Sequence, residues 1–457
     1  MMPTTDTPAA PHSSSPRKPT FIQRLVENRI VRQASQMIMT RGLGLCAAAG
    51  GSIWAARCLG PEKLGISGMI LAVVTPVALF VDLNQNVGLV RDYKNLTTDD
   101  DRRDLIASVF CFRVSLAVLY MALAVLGLML FGVPTAEWRL GIIAAFPLFV
   151  FTVNQATWIL QGQERVPAQY IATLTSSLVS SGSYFLIFRP HRMPAGSDII
   201  IMACAVACEF SVGWWYATRP LRTKSSGLFF LAFAKSCVTS WKRAARFYLD
   251  SRWLAISGIV GYIYVFFQSP LVGSLLGTAA LGQYRTSMTL VNGFQAFAVM
   301  VPALLYPRMI EWNRTSPEYL WHRQWQIMRV ALLFFLPGVV AAFALSPTLY
   351  KLLYGAVFLP AAYPFAMLLA SKMVTVLNGI FGWGLWAQGR DRTMLALTSI
   401  AAAASLGLNF ILIPYAGIFG AATVCLISEL IVLGGTIYCS HRALRTTPPA
   451  PLEAVAI

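Results

Sequence analysis

Charge is what this chain has least of. Asp, Glu, Lys and Arg together make up 12% of its 457 residues, about half the share usual in soluble domains. Such a chain cannot cover a water-facing surface of its size, which excludes an ordinary soluble enzyme. The same shortage excludes a disordered chain, which carries charge in place of apolar bulk. Histidine is rare too: His12, His191, His322 and His441 all fall in expected tails or loops, and only His191, beside Arg189 and Arg192, is placed where it would assist chemistry outside the membrane. The eight cysteines have no paired loop spacing and read as small apolar residues, so neither a disulfide framework nor a metal site is expected. A Gly-rich phosphate loop is missing, so no ATP site and no cofactor is expected.

Apolar bulk fills the chain instead: AVILMFWYC residues reach 56% and mean hydropathy is +0.61. It gathers in stretches near the ~20 residues a helix needs to cross a bilayer. Twelve are expected, at 36–57, 64–90, 104–131, 139–160, 167–188, 198–217, 247–272, 281–306, 325–349, 360–386, 393–413 and 417–440. The Pro/Ser/Thr-rich residues 1–20 lack the apolar core of a signal peptide and read as a cytoplasmic tail, followed by an interfacial helix to residue 33.

The net charge of +17 would suggest nucleic acid in a soluble protein. Here it sorts by loop. With both termini inside, 25 Lys and Arg fall on inner segments, six on outer ones and five within spans, and since basic residues resist translocation the expected topology is N-in and C-in. No nucleic-acid partner is therefore expected.

The chain also repeats itself. Leu59-Gly60-x-x-x-Leu64-Gly65 recurs as Leu276-Gly277-x-x-x-Leu281-Gly282, an offset of 217; Leu130-Phe131-Gly132 answers Leu353-Tyr354-Gly355, at 223; and Gln161-Gly162-Gln163-Glu164-Arg165 answers Gln388-Gly389-Arg390-Asp391-Arg392, at 227. Three matches in one order and in equivalent loops predict two six-helix bundles of like orientation, related by pseudo-twofold symmetry. The expected domains are a tail and interfacial helix (1–33), an N-terminal bundle (34–217), a basic amphipathic linker on the inner leaflet (218–246), a C-terminal bundle (247–440) and a cytoplasmic tail (441–457). The fold class is thus an all-α integral membrane protein.

An ionisable group within a span costs about 2.5–3.5 kcal/mol, so each needs a reason. Arg113 and Lys372 fall near mid-depth, while Arg41, Arg252 and Arg285 lie closer to an interface. The shallow three either snorkel or face a cavity. The deep two either pair with Glu209 and Glu429 or face a shared basic chamber, and Asp82 and Asp250, nearer the inner ends, are further charge partners. Five bases against two deep acids predict a positive chamber that attracts an anion. Polar positions Gln155, Asn292, Gln295 and Asn378 either contact sugar or join helices.

Several stretches carry a resemblance. Ala56-Arg57-Cys58-Leu59-Gly60-Pro61-Glu62-Lys63-Leu64-Gly65, Leu353-Tyr354-Gly355 running to Leu359-Pro360-Ala361-Ala362, Gln388-Gly389-Arg390, and Asn409 to Ala422 (NFILIPYAGIFGAA) resemble polysaccharide flippases of the Wzx type, within the multidrug/oligosaccharidyl-lipid/polysaccharide exporter superfamily. The likeness runs from about residue 34 to 440 and is strongest in the C-terminal third. It implies a non-enzymatic, multi-pass protein of the bacterial inner membrane. Such a protein moves a polyprenyl-pyrophosphate-linked oligosaccharide from inner to outer leaflet by alternating access. The implied partners are that substrate, membrane lipids, and polysaccharide polymerase and glycosyltransferases. Arg41-Gly42-Leu43-Gly44 is similar to a first-helix motif lining the cationic cavity of lipid II flippases, which implies a cavity role for Arg41, though twelve expected spans differ from the fourteen of those relatives. The alternatives are a cation-coupled multidrug exporter, a membrane glycosyltransferase, polymerase or ligase acting on the same lipid-linked sugars, and a non-transporting component of polysaccharide assembly.

Overall fold

The structure, a computed structural model, describes residues 29–82, 86–130, 136–190, 192–219, 260–261, 267–298 and 300–446. Every regular element among them is helical. The first group is α1 (Arg29–Asp82), α2 (Asn86–Asn95), α3 (Asp99–Leu130), α4 (Ala136–Val153), α5 (Thr157–Gly162), α6 (Val166–Ile187) and α7 (Ser197–Thr218). The second is α8 (Gln268–Leu276), α9 (Thr278–Ala298), α10 (Met300–Thr315), α11 (Pro317–Leu353), a 3-10 turn (Ala356–Ala361), α12 (Ala362–Ala387) and α13 (Asp391–Thr446). Six described segments are long and apolar enough to cross a membrane.

Helix ends follow local chemistry. Thr98 Oγ1 accepts from the Asp101 amide at the start of α3, where Asp99, Asp100 and Asp101 add charge that the helix dipole favours. Ser316 Oγ does the same for Tyr319 N at the start of α11, with Pro317 in the first helical position. A straight helix of the 54 residues of α1 would extend about 80 Å, far beyond a bilayer. Gly60 (φ 76, ψ 171) breaks it, and Gly417 (φ 60, ψ −142) breaks α13. Across that second break the chain folds back, since Gly420 abuts the Leu412 carbonyl and Gly435 the Leu397 side chain.

Four buried apolar clusters organise the packing. Leu89, Tyr93, Ile106, Trp158 and Ala217 form one, and Ile70, Ala117, Phe149 and Ile199 another, both within α1–α7. Met309, Leu320, Phe381 and their neighbours form a third within α10–α13. The fourth draws on both groups: Ala56, Leu64, Tyr184 and Phe188 pack with Leu281, Tyr284, Tyr350, Phe358 and Ile418. It lies at the end of the molecule carrying the Gly60 and Gly277 turns. Among the described residues, the two halves therefore share a core at one end, while the clusters at the opposite end each belong to one half.

The repeat is visible in the backbone. Gly277 (φ 87, ψ 174) reproduces Gly60 at the predicted offset. The second match shifts: Arg165 N donates to Leu160 O and Arg390 N to Leu385 O, with Glu164 (φ 58) answering Gly389 (φ 71), an equivalence of 225 instead of 227. Matching the letters aligned Gly162 with Gly389, whereas the backbone needs its left-handed residue two positions later, and Glu164 supplies it. Gly132 of the remaining match lies outside the described residues.

Other expectations change. The stretch expected at 139–160 is broken at Asn154–Ala156, between α4 and α5. Of the interfacial helix expected at 21–33, residues 29–33 are the start of α1 and the remainder lies outside the described residues. Cys111 is disulfide-bonded, where no disulfide framework was expected. Of the expected linker only residues 218 and 219 are described.

Candidate functional site

The joined end is built on two glycines. A Cβ on Gly65 would lie 1.7 Å from the Thr278 carbonyl oxygen, and one on Gly282 would lie 1.8 Å from that of Pro61. Each glycine thus meets the turn that opens the opposite repeat, and α1 crosses α9 backbone to backbone, as small residues permit between membrane helices. Arg57 of α1 reaches across as well. Its Nε donates to the Leu353 carbonyl at 2.5 Å and its Nη2 to that of Leu352, two carbonyls at the C-terminal end of α11, where a cation complements unsatisfied acceptors and the helix dipole.

Beneath this crossing lies an ion pair between the halves. Arg285 of α9 donates through Nη1 to Asp198 Oδ2 of α7 at 3.1 Å and to the Leu64 carbonyl at 3.1 Å. Asp198 is buried, and Ser67 Oγ donates to its Oδ1 at 2.5 Å. Ser67 Oγ in turn accepts from Gly196 N at 3.2 Å, and Tyr184 Oη donates to the Asp198 carbonyl at 3.3 Å. Around the pair is a cavity of about 50 Å³ whose walls include Ser52, Leu64, Tyr184 and Thr289. That is room for a few waters, not for a pyrophosphate, so this end is closed.

Of the five expected cavity bases, four are described, and each has its own surroundings. Arg113 is buried and its Nη1 donates to the Val153 carbonyl at 3.0 Å, its Nη2 to Asn86 Oδ1 at 3.1 Å. Val153 is the last residue of α4, so Arg113 caps a helix that stops inside the bundle. The break that creates this acceptor falls at the polar pair Asn154-Gln155 within an otherwise apolar stretch. Lys372 of α12 is buried within the C-terminal half. Arg113 and Lys372 thus sit on different helices, one in each half.

Arg41 lies with its guanidinium carbon 5.8 Å from the Tyr170 ring centroid of α6, a cation–π contact. Glu209 accepts from Thr173 Oγ1 at 2.8 Å, a hydrogen bond that joins α6 to α7. Glu429 accepts from Asn378 Nδ2, through its carbonyl at 3.1 Å and Oε2 at 2.5 Å, which places Asn378 at a helix contact. Arg252 and Asp250 lie outside the described residues, as does the side chain of Asp82. A larger hollow of about 610 Å³ lies along α11, lined by Trp321, His322, Trp325, Gln326 and Arg329; it brings none of the five bases together.

Asp198 and Ser67 are the polar residues that sequence reasoning missed. An acid at the start of an apolar stretch reads as an ordinary helix-end residue, and only the juxtaposition of α7 with α9 distinguishes it. The repeat motif was the available signal, since it fixes which turns meet.

Comparison with known proteins bears on this geometry. The polysaccharide biosynthesis protein family matches residues 30–312; that match spans both glycine turns and ends before the C-terminal stretches in which the resemblance is strongest to the eye. The chain is 25% identical over 196 residues to a "Probable low-salt glycan biosynthesis flippase Agl15" of Haloferax volcanii, covering 41% of this chain and 40% of that protein. It thus spans less than half the length of that relative. It is 21% identical over 388 residues to a "Putative O-antigen transporter" of Shigella dysenteriae, covering 82% and 91%. Among solved structures, the lipid II flippase MurJ in an inward closed conformation aligns with TM-score 0.66 and 14% identity over 92% of this chain and 88% of that one. An inward-facing multidrug resistance MATE family transporter of the MOP superfamily aligns with TM-score 0.60 and 13% identity over 90% and 98%. The fold is that of MOP superfamily transporters, and the chain belongs to the polysaccharide biosynthesis protein family.

Proposed function

We propose that this protein carries a polyprenyl-pyrophosphate-linked oligosaccharide from the inner to the outer leaflet of a bacterial inner membrane by alternating access between its two halves. The observation that carries the reading is the uneven sharing of the core. Among the described residues, the halves meet through one cluster, two glycines and the Asp198–Arg285 pair at one end, and have separate clusters at the other. A molecule hinged in this way opens to one side of the membrane at a time. In the N-in, C-in arrangement of twelve spans, the joined end faces outward and the divided end faces the cytoplasm, where the substrate is made. The names of the two curated relatives support this substrate class.

The chemistry agrees. A pyrophosphate does not cross hydrocarbon unaided, and guanidinium groups replace its water with paired, charge-assisted hydrogen bonds. Arg285 stands on the path between the halves and Arg41 on the first helix; Arg252 and Lys372 complete the proposed cationic set. The polyprenyl tail stays in lipid while the head group passes.

Deletion of the gene, with lipid-linked oligosaccharide then assayed on each leaflet, tests the reading. The deletion strain is expected to accumulate the intermediate on the inner leaflet, the wild-type gene to clear it, and Arg285→Gln to clear it poorly. Normal export in the deletion strain would remove the transport reading.

A further inference from the structure

Parting the halves affects the two members of the Asp198–Arg285 pair unequally. Asp198 keeps its support: Ser67 and the Gly196 turn belong to its own half, Ser67 Oγ donates to its carboxylate, and the acid sits in the first turn of α7, where the helix dipole favours negative charge. Arg285 keeps little. Its two oxygen acceptors, Asp198 Oδ2 and the Leu64 carbonyl, lie on the opposite half, as does the Met202 sulfur 3.9 Å from its Nη2. Its side chain is 21% exposed, against 2% for Asp198, so it already borders the small cavity. The cost of opening this end therefore falls on the arginine, which loses its carboxylate and carbonyl acceptors together.

An anion that binds Arg285 removes that cost. We propose that Asp198 is a tethered competitor of the transported anion: the pyrophosphate of the substrate replaces the Asp198 carboxylate on Arg285, so that the closed end parts when the carrier is loaded and reseals when it is empty. This rests on the pyrophosphate-carrying function proposed above. A ligand shifts a two-state equilibrium only by its differential affinity for the two states. Pyrophosphate has that difference here, because Arg285 is free to receive it only once Asp198 has let go. Two phosphate groups offer the planar guanidinium more paired acceptors than one carboxylate does, and this sets the direction of the exchange.

The test uses the full chain in detergent micelles, with Ser52→Cys as a reporter in the cavity wall, a water-soluble maleimide, and peptide mass spectrometry to read labelling at position 52. Farnesyl pyrophosphate is the probe, and its binding is followed separately by tryptophan quenching. Labelling is expected to be slow without probe and about tenfold faster with it. Asp198→Asn should label fast without probe and respond little to it. Arg285→Gln should also label fast, and bind probe weakly. Both variants are compared with the parent by thermal unfolding, so that global unfolding is distinguished from opening of this end. Slow labelling in a folded Asp198→Asn chain overturns the lock, and probe that binds the parent without speeding its labelling overturns the exchange. Absence of any probe binding overturns the pyrophosphate-carrying function itself, and the exchange with it.

Discussion

Arg113 shows how a buried charge can read as a ligand-binding group and serve as a cap. Its guanidinium satisfies the terminal carbonyl of α4 and the Asn86 side chain, and a buried carbonyl left without a donor costs about 1–3 kcal/mol. Arg113→Met is therefore expected to lower stability by roughly that amount, with transport retained at low temperature; thermal unfolding in detergent alongside a transport assay checks this. Loss of transport at unchanged stability would return Arg113 to the cavity. The presence of intramembrane bases was legible in the sequence, because nothing else in an apolar stretch resembles them. Their partners were not: Val153 accepts through its backbone and Asn86 is a neutral side chain, and neither stands out in a linear reading.

Glycines divide into two kinds once helices are placed against one another. Gly65 and Gly282 allow two backbones to touch, whereas a Cβ added to Gly407 of α13 would meet nothing within 4 Å. Alanine should therefore act oppositely at the two sites. Gly65→Ala forces a methyl group onto the Thr278 carbonyl and should loosen the joined end, raising maleimide labelling of the Ser52→Cys reporter. Gly407→Ala relieves the helix of its most flexible residue and should stabilise by about 0.5–1 kcal/mol, seen as a higher unfolding temperature with labelling unchanged. Equal effects at both positions would remove the close crossing of α1 and α9. Hydropathy located the long helices well, since their composition is what a bilayer selects. It passed over the interruption at Asn154–Ala156, because the apolar residues on both sides outweigh the polar pair Asn154-Gln155 in a window the length of a span.

For the whole molecule, a pyrophosphate moving outward carries negative charge down an inside-negative potential, worth about 2.3 kcal/mol per charge per 100 mV. Export in sealed vesicles should accordingly rise with an imposed potential of that sign and fall when it is collapsed by an ionophore. Export indifferent to the potential would require the charge to be compensated during passage. The equivalence of the Gly60 and Gly277 turns was readable in the sequence, and the two share one backbone conformation. Which end is closed was not, because closure depends on how Asp198 and Arg285 come together from segments 87 positions apart.

The glycine contact is reciprocal. Gly65 meets the turn before Gly282, and Gly282 meets the turn before Gly65, which is the self-complementary surface of a two-fold dimer. A side chain added at either glycine would therefore press on the partner turn in the same way, so the two sites should tolerate substitution alike.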